Sequence, residues 1–415
     1  VTEDAYGFAL STASDAAAEA FRLAADRLLT GTGDPLAAAE AAVGADAGFA
    51  MAHSVSASAL LLKGRIREAR ESAERAMHLA ERAPVGGVTR RERQHAAIVV
   101  DVAHGRRDQA LAKVREHATE FPRDALAIDP AAGVFGLIGF SGRQDREAEQ
   151  LALLAPLAPH YGDDWWYQHV LGFALLENDA VERALPLVES AVHQRPDSGH
   201  AAHTFVHGLF EAGAFDAGAR ERAMTWLDEW LPGYAPDGVL YCHLWWHLAL
   251  FHLLRRDFDA VWRIYDRHCQ SGQSASPTIN VFTDGVSLAW RCLVAGGAPS
   301  RERLETLKAL GEESFPRPGI FVDVHRAMVL AALGDEAALA EYRAECEAAL
   351  AAGRLAAGDV VLKLLDGFAA YAAGDFVRAL DVLSDAAPQV VRIGGSRAQR
   401  RFVSETLESA RRRAG

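Results

Sequence analysis

Two short segments of this sequence concentrate imidazoles. YCHLWWHLALFHLL (Tyr241–Leu254) carries His243, His247 and His252 beside Trp245 and Trp246, and GHAAHTFVHGLFEAG, earlier in the chain, carries His200, His203 and His207. Histidines spaced i, i+4 project from one face of a helix. His203/His207 and His243/His247 are therefore two H-x3-H pairs on two helical segments. If they face each other across the inner wall of a helical array, four imidazoles converge. Such a cluster has three readings. Neutral imidazoles are common ligands of divalent metals such as zinc, so His203, His207, His243 and His247 are candidate metal ligands, with Glu211 one turn beyond His207. The same rings can line a metal-free pocket walled by Trp245, Trp246 and Trp290, donating hydrogen bonds or carrying protons. They can also fill gaps between helices, each tied to a structural partner. The HExxH pattern of zinc hydrolases, the GxSxG elbow and the P-loop spacing are all absent. RIGGSRAQR (Arg392–Arg400) is glycine-rich and basic; it reads either as an anion seat or as a turn between helices.

The elements that must hold these residues are helical. Half of the 415 residues are hydrophobic, alanine, leucine, glutamate and arginine dominate, and apolar residues recur three and four apart. In LGFALLENDAVERALPLVESAVHQRPDS (Leu171–Ser198), Gly172, Ala184, Ala191 and Pro196 match the tetratricopeptide pattern. Small residues stand where two antiparallel helices approach, and proline ends the second. Gly64, Ala69 and Ala76; Gly105, Ala110 and Pro122; and Gly367, Gly374, Ala379 and Ala386 echo it. The expectation is an all-α, tetratricopeptide-like α-solenoid of antiparallel helical hairpins, curved and compact, spanning residues 1–415 as a single domain.

A formal net charge of −13 argues against a dedicated nucleic-acid binder. The arginine clusters Arg90–Arg93 and Arg411–Arg413 read as solvated helix ends. Cys242, Cys269, Cys292 and Cys346 form no CxxC pair, which points to reduced thiols and a cytoplasmic protein. No signal peptide and no membrane span are expected.

Several stretches, in order, resemble the tetratricopeptide repeat protein 38 family and its bacterial members: YGFALSTAS (Tyr6–Ser14), RERQHAA (Arg91–Ala97), FPRDALAI (Phe121–Ile128), AAHTFVHGLFEAG, LWWHLALFHL, DGVSLAWRCLVAG (Asp284–Gly296), FVDVHRAMVLAALG (Phe321–Gly334) and RIGGSRAQRRF (Arg392–Phe402). The resemblance implies a full-length helical solenoid and no defined reaction. It marks His95, His203, His207, Trp245, Trp246, His247, His252, Asp284, Phe321, Asp323 and His325 as positions of the family pattern. It also exposes departures. Arg397 and Arg401 stand where the family has histidine and aspartate, and Phe210 takes the place of a glutamate, with Glu211 next. Arginines there favour an anionic ligand.

The resulting expectation is a small-molecule-binding protein with an interior His/Asp/Trp site, acting by acid–base or metal-assisted chemistry in specialised metabolism. His203, His207, His243, His247, Asp323 and His325 form its polar core. Trp246 and Trp290 form its walls, Asp284 orients a histidine, Asp323 fixes a tautomer and Arg397 meets the ligand. The alternative is a scaffold that binds a peptide on its concave face. The C-terminal helix RFVSETLESARRRAG is a candidate homodimer surface.

Overall fold

The structure is a computed structural model that describes residues 2–84 and 86–415. Among them the only strand-like feature is an isolated bridge between Glu3 and Ala9. Everything else regular is helix. The order is α1 (Asp15–Thr30), α2 (Pro35–Ala45), α3 (Ala50–Leu62), α4 (Ile66–Arg82), α5 (Arg90–Ala103), α6 (Arg107–Glu120), α7 (Ala125–Ala132), α8 (Arg146–Leu154), α9 (Ala158–Tyr161), α10 (Trp165–Glu177), α11 (Val181–Gln194) and α12 (Gly199–Ala212). It continues with α13 (Ala217–Trp230), α14 (Tyr241–Leu254), α15 (Phe258–His268), α16 (Thr278–Val294), α17 (Arg301–Ser314), α18 (Val322–Leu333), α19 (Glu336–Ala351), α20 (Val360–Ala372), α21 (Phe376–Ala386) and α22 (Arg397–Ala414).

Local chemistry sets the helix ends. Ser14, Asp34, Asp164, Asp257 and Ser300 cap their helices by accepting a backbone N–H of the first turn. Thr89 with Glu92, and Ser396 with Gln399, form capping boxes at α5 and α22. Gly31 and Gly334 end α1 and α18 in the left-handed conformation.

The chain divides into two compact units. The first takes the chain through Ile138, then Glu149–Gly208 and Gly233–Tyr241; the second takes Gly139–Ala148, Leu209–Pro232 and Cys242–Gly415. The core of the first unit is built largely on alanine, with Phe21, Phe49, Met51 and Val55 in one cluster and Tyr161, Trp166, Tyr167 and Val170 in another. The second unit packs Cys242, Trp246, Leu250, Val261, Tyr265 and Leu288 together.

The arginines at the start of α5 correct the sequence expectation. Arg91 is not solvated: it is 3% exposed. It pairs with Asp4 at 2.8 Å and Asp124 at 2.6 Å, and the His117 ring lies 3.1 Å from the same Asp124 oxygen. Burial pushes Asp124 up, but Arg91 and His117 outweigh it and hold the carboxyl well below its usual range. Glu92 meanwhile accepts the Ser11 amide at 2.9 Å. Segments around Asp4, Arg91 and Asp124 are thus one network that ties the N-terminal arm to α5 and α7. Arg411–Arg413 are exposed, as expected.

In two hairpins the helices touch through glycine. A Cβ on Gly172 of α10 would stand 2.5 Å from Val188 of α11, and one on Gly367 of α20 would strike Leu383 of α21. The offset is the same in both, 172 to 188 and 367 to 383. Alanine at either glycine gains up to ~1 kcal/mol of helix propensity, but overpacking costs about 1–3 kcal/mol. Gly172→Ala and Gly367→Ala are each expected to lower the thermal midpoint; a rise in both would contradict this packing.

Candidate functional site

In the second unit, α14 is apolar nearly all round and is buried along its length. Its polar groups are therefore forced to find partners inside. His243 is 3% exposed and its Nδ1 lies 2.7 Å from Asp284 Oδ2 of α16. A carboxylate only accepts, so Nδ1 carries the proton and the ring's lone pair is on Nε2. The sequence expectation had Asp284 orient a histidine without saying which; the histidine it bonds is His243. Trp246 stacks on His243 with centroids 5.0 Å apart, and His247 meets both rings edge-on at 4.8 and 4.9 Å.

Helix α16 answers with a stripe. Asp284, Ser287 and Arg291, spaced i, i+3, i+7, share one helix face. All three are buried. The Arg291 guanidinium lies 5.7 Å from the Trp246 ring and donates to the Ala398 and Gln399 carbonyls of α22. Burial lowers its pKa, Glu405 and Asp284 oppose that, and Arg401 adds to it. Among the described residues, Asp284 Oδ1, Ser287 Oγ and Trp246 Nε1 have no hydrogen-bond partner, and neither has Arg291 Nε, which lies 3.3 Å from Glu405. A carboxylate-held imidazole beside unsatisfied donors and acceptors can bind a polar molecule and accept a proton from it at Nε2.

The first unit holds the other pair. His203 and His207 of α12 face each other with Nε2 atoms 2.9 Å apart and rings at 83°. Phe173 of α10 packs on both, at 5.8 and 5.1 Å. His207 is 1% exposed.

Other expected residues are placed differently. Asp323 and His325 do not pair. Asp323 Oδ1 accepts from Tyr342 at 2.5 Å and from the Gly319 amide at 2.8 Å; His325 Nδ1 lies 2.9 Å from the Phe321 carbonyl, which sets its tautomer instead of Asp323. Two residues apart on a helix, they point to different sides. Trp290 donates to Thr406 at 2.9 Å and packs on Phe368 and Tyr371. Arg397 lies 3.9 Å from Glu211, the carboxylate the sequence had offered as a metal partner. Arg401 covers Phe210. Gly394 and Gly395 do form a turn into α22, and Arg146 donates to the Gly395 carbonyl.

No family model matches the chain. Among solved structures it is similar to the human IFIT1 dimer with m7Gppp-AAAA (12% identity, 93% of this chain and 84% of that one, TM-score 0.46). It is also similar to PilF of Pseudomonas aeruginosa (15% identity, 53% and 90%, TM-score 0.36) and to YrrB, a TPR protein with an unusual peptide-binding site (19% identity, 44% and 87%, TM-score 0.25). The hairpins here are tetratricopeptide-like. That rests on their own geometry, the repeated glycine contact between antiparallel helices. No helix among the described residues is long and apolar enough to cross a membrane.

Sequence reasoning missed Ser287 and Arg291 as members of the site. The signal was present in DGVSLAWR, whose polar residues fall on one helical stripe.

Burial pushes Asp323 from 3.8 to about 7, against the lowering pull of Tyr342 and the Gly319 amide. Above pH about 4 the unfolded chain releases this proton while the folded chain keeps it to about 7. Stability from this group therefore falls as pH rises across that window and flattens above it. Urea midpoints measured across the window should decline less with pH in Asp323→Asn than in wild type; parallel declines would contradict the shift.

Proposed function

We propose that the protein binds a small molecule inside the second unit, against His243, Trp246, Asp284, Ser287 and Arg291, and that His243 carries a proton there. The observation behind this reading is the set of unsatisfied buried atoms, Asp284 Oδ1, Ser287 Oγ and Trp246 Nε1. Each costs about 1–3 kcal/mol when left without a partner. A ligand that donates to Asp284 and accepts from Trp246 offsets that cost. Arg291 and Arg401 share one carboxylate, Glu405, at 3.3 and 3.7 Å, so a carboxylate or phosphate on the ligand has a cationic side to turn to, with Arg397 one turn before Arg401. This reading keeps the chain beside the tetratricopeptide repeat protein 38 family, with a role in specialised metabolism, as part of the proposal.

A divalent metal is the second reading, favoured by the Nε2 spacing of 2.9 Å between His203 and His207. Two nitrogens bound to one zinc at ordinary length and angle lie about 2.9–3.4 Å apart. The hydrogen bond from His243 to Asp284 is also the kind of outer contact that orients a metal-binding imidazole. A bound ion would supply Lewis acidity.

Thermal-shift screening of a metabolite library rich in carboxylates and phosphates tests the first reading. At least one compound should raise the wild-type midpoint by several degrees and have much less effect on Asp284→Asn and Trp246→Phe. Hits that act equally on all three proteins, or only on peptide ligands, would overturn it in favour of a scaffold. Elemental mass spectrometry of untagged protein tests the second. Metal is expected in wild type and reduced in His203→Ala/His207→Ala; wild type that holds none and takes up none overturns it.

A further inference from the structure

The first unit contains another set of polar side chains, which neither reading above uses. On α10, Trp165, His169 and Phe173 lie four apart on one face, and this face runs along α12. Phe173 meets His203 and His207; one turn earlier His169 meets His200, with ring centroids 6.1 Å apart. Trp165 stacks on His169 at 5.8 Å, nearly parallel. His169 is 6% exposed, yet neither ring nitrogen has a hydrogen-bond partner. Burial holds its pKa well below the usual histidine value, so the ring is neutral and offers a lone pair.

Its neighbours also offer acceptors. The Nδ1 of His200 lies 3.0 Å from the Leu29 carbonyl, which leaves the lone pair on Nε2. Asp129 of α7 accepts the Trp166 indole N–H at 3.2 Å. Burial raises its pKa, against the lowering pull of His200 and of the Trp166 N–H, so a bound cation is what would hold it ionised. Asp129 and His200 are half-buried, which gives access from their side. Arg195, over the Trp165 ring, is already held by Asp26 and Asp197.

We propose that Asp129, His169 and His200 form a binding site for a primary ammonium group. Three acceptors that do not reach one another call for a ligand with several donors. An ammonium has three N–H donors and the charge to match one carboxylate. The site lies one helical turn from the His203/His207 pair and stands independently of it.

The test uses ethanolamine and tetramethylammonium as probes on full-length, chelator-treated protein. Both are cations, but only ethanolamine donates N–H bonds. Millimolar ethanolamine should raise the thermal midpoint by a few degrees, tetramethylammonium should not, and the gain should vanish in the isosteric Asp129→Asn. In protein with 15N-labelled histidine, the His169 and His200 ring signals should move with ethanolamine alone. The effect should persist in His203→Ala/His207→Ala and in Asp284→Asn, which separates it from the readings above. Equal response to both probes, no response, or an undiminished response in Asp129→Asn would overturn the proposal. The comparison of the two probes on wild type decides the matter even if Asp129→Asn fails to fold.

Discussion

Helices that meet through alanine and glycine leave no room between them, and this constraint organises the protein. Ala184, Ala191, Ala379 and Ala386 are fully buried at hairpin contacts, and Gly172 and Gly367 stand where any Cβ would collide with the partner helix. Such contacts fix hairpin geometry at small cost in side-chain entropy. The bulky residues are then displaced to the other helix faces. Tryptophan, phenylalanine and histidine collect there, and they bring polar atoms into places that water does not reach.

Those atoms are managed in two ways. Some are paired across helices: Arg91 with Asp4 and Asp124, Trp290 with Thr406, Tyr371 with Ser409. These networks lock arms and helices together. Others are left open: Asp284 Oδ1, Ser287 Oγ and Trp246 Nε1 in the second unit, both nitrogens of His169 in the first. A folded chain satisfies nearly all its buried polar groups. Those of the second unit lie around the His243 imidazole and the Asp284 carboxylate, and a ligand there gains most.

Much of this was legible in the sequence. The hairpins follow from glycine and alanine at fixed offsets, and the histidine pairs from an i, i+4 spacing. The family resemblance marked Asp284 as a position of its pattern but named no partner for it. What stayed hidden has physical reasons. Arg91 looked like a solvated helix end because nothing local shows that Asp4 and Asp124, far away in sequence, descend on it. Asp323 was expected to fix a histidine's tautomer, but the fold brings Tyr342 and the Gly319 amide to it instead, and no local signal in the sequence shows either. His169 escaped notice because a single histidine in an apolar helix is usually a packing residue. Only its three-dimensional surroundings show that it packs without bonding.

The account rests on the claim that Trp246 and Asp284 are held ready for a ligand. The most direct measurement is the indole 15N–1H resonance of Trp246, assigned with Trp246→Phe, in protein labelled at tryptophan. Trp290, already bonded to Thr406, serves as the internal control. On addition of the small-molecule fraction of an extract from the source cells, the Trp246 signal should shift as its N–H gains an acceptor, while that of Trp290 stays in place. A Trp246 signal that does not move, or that moves no more than Trp290, would contradict the account.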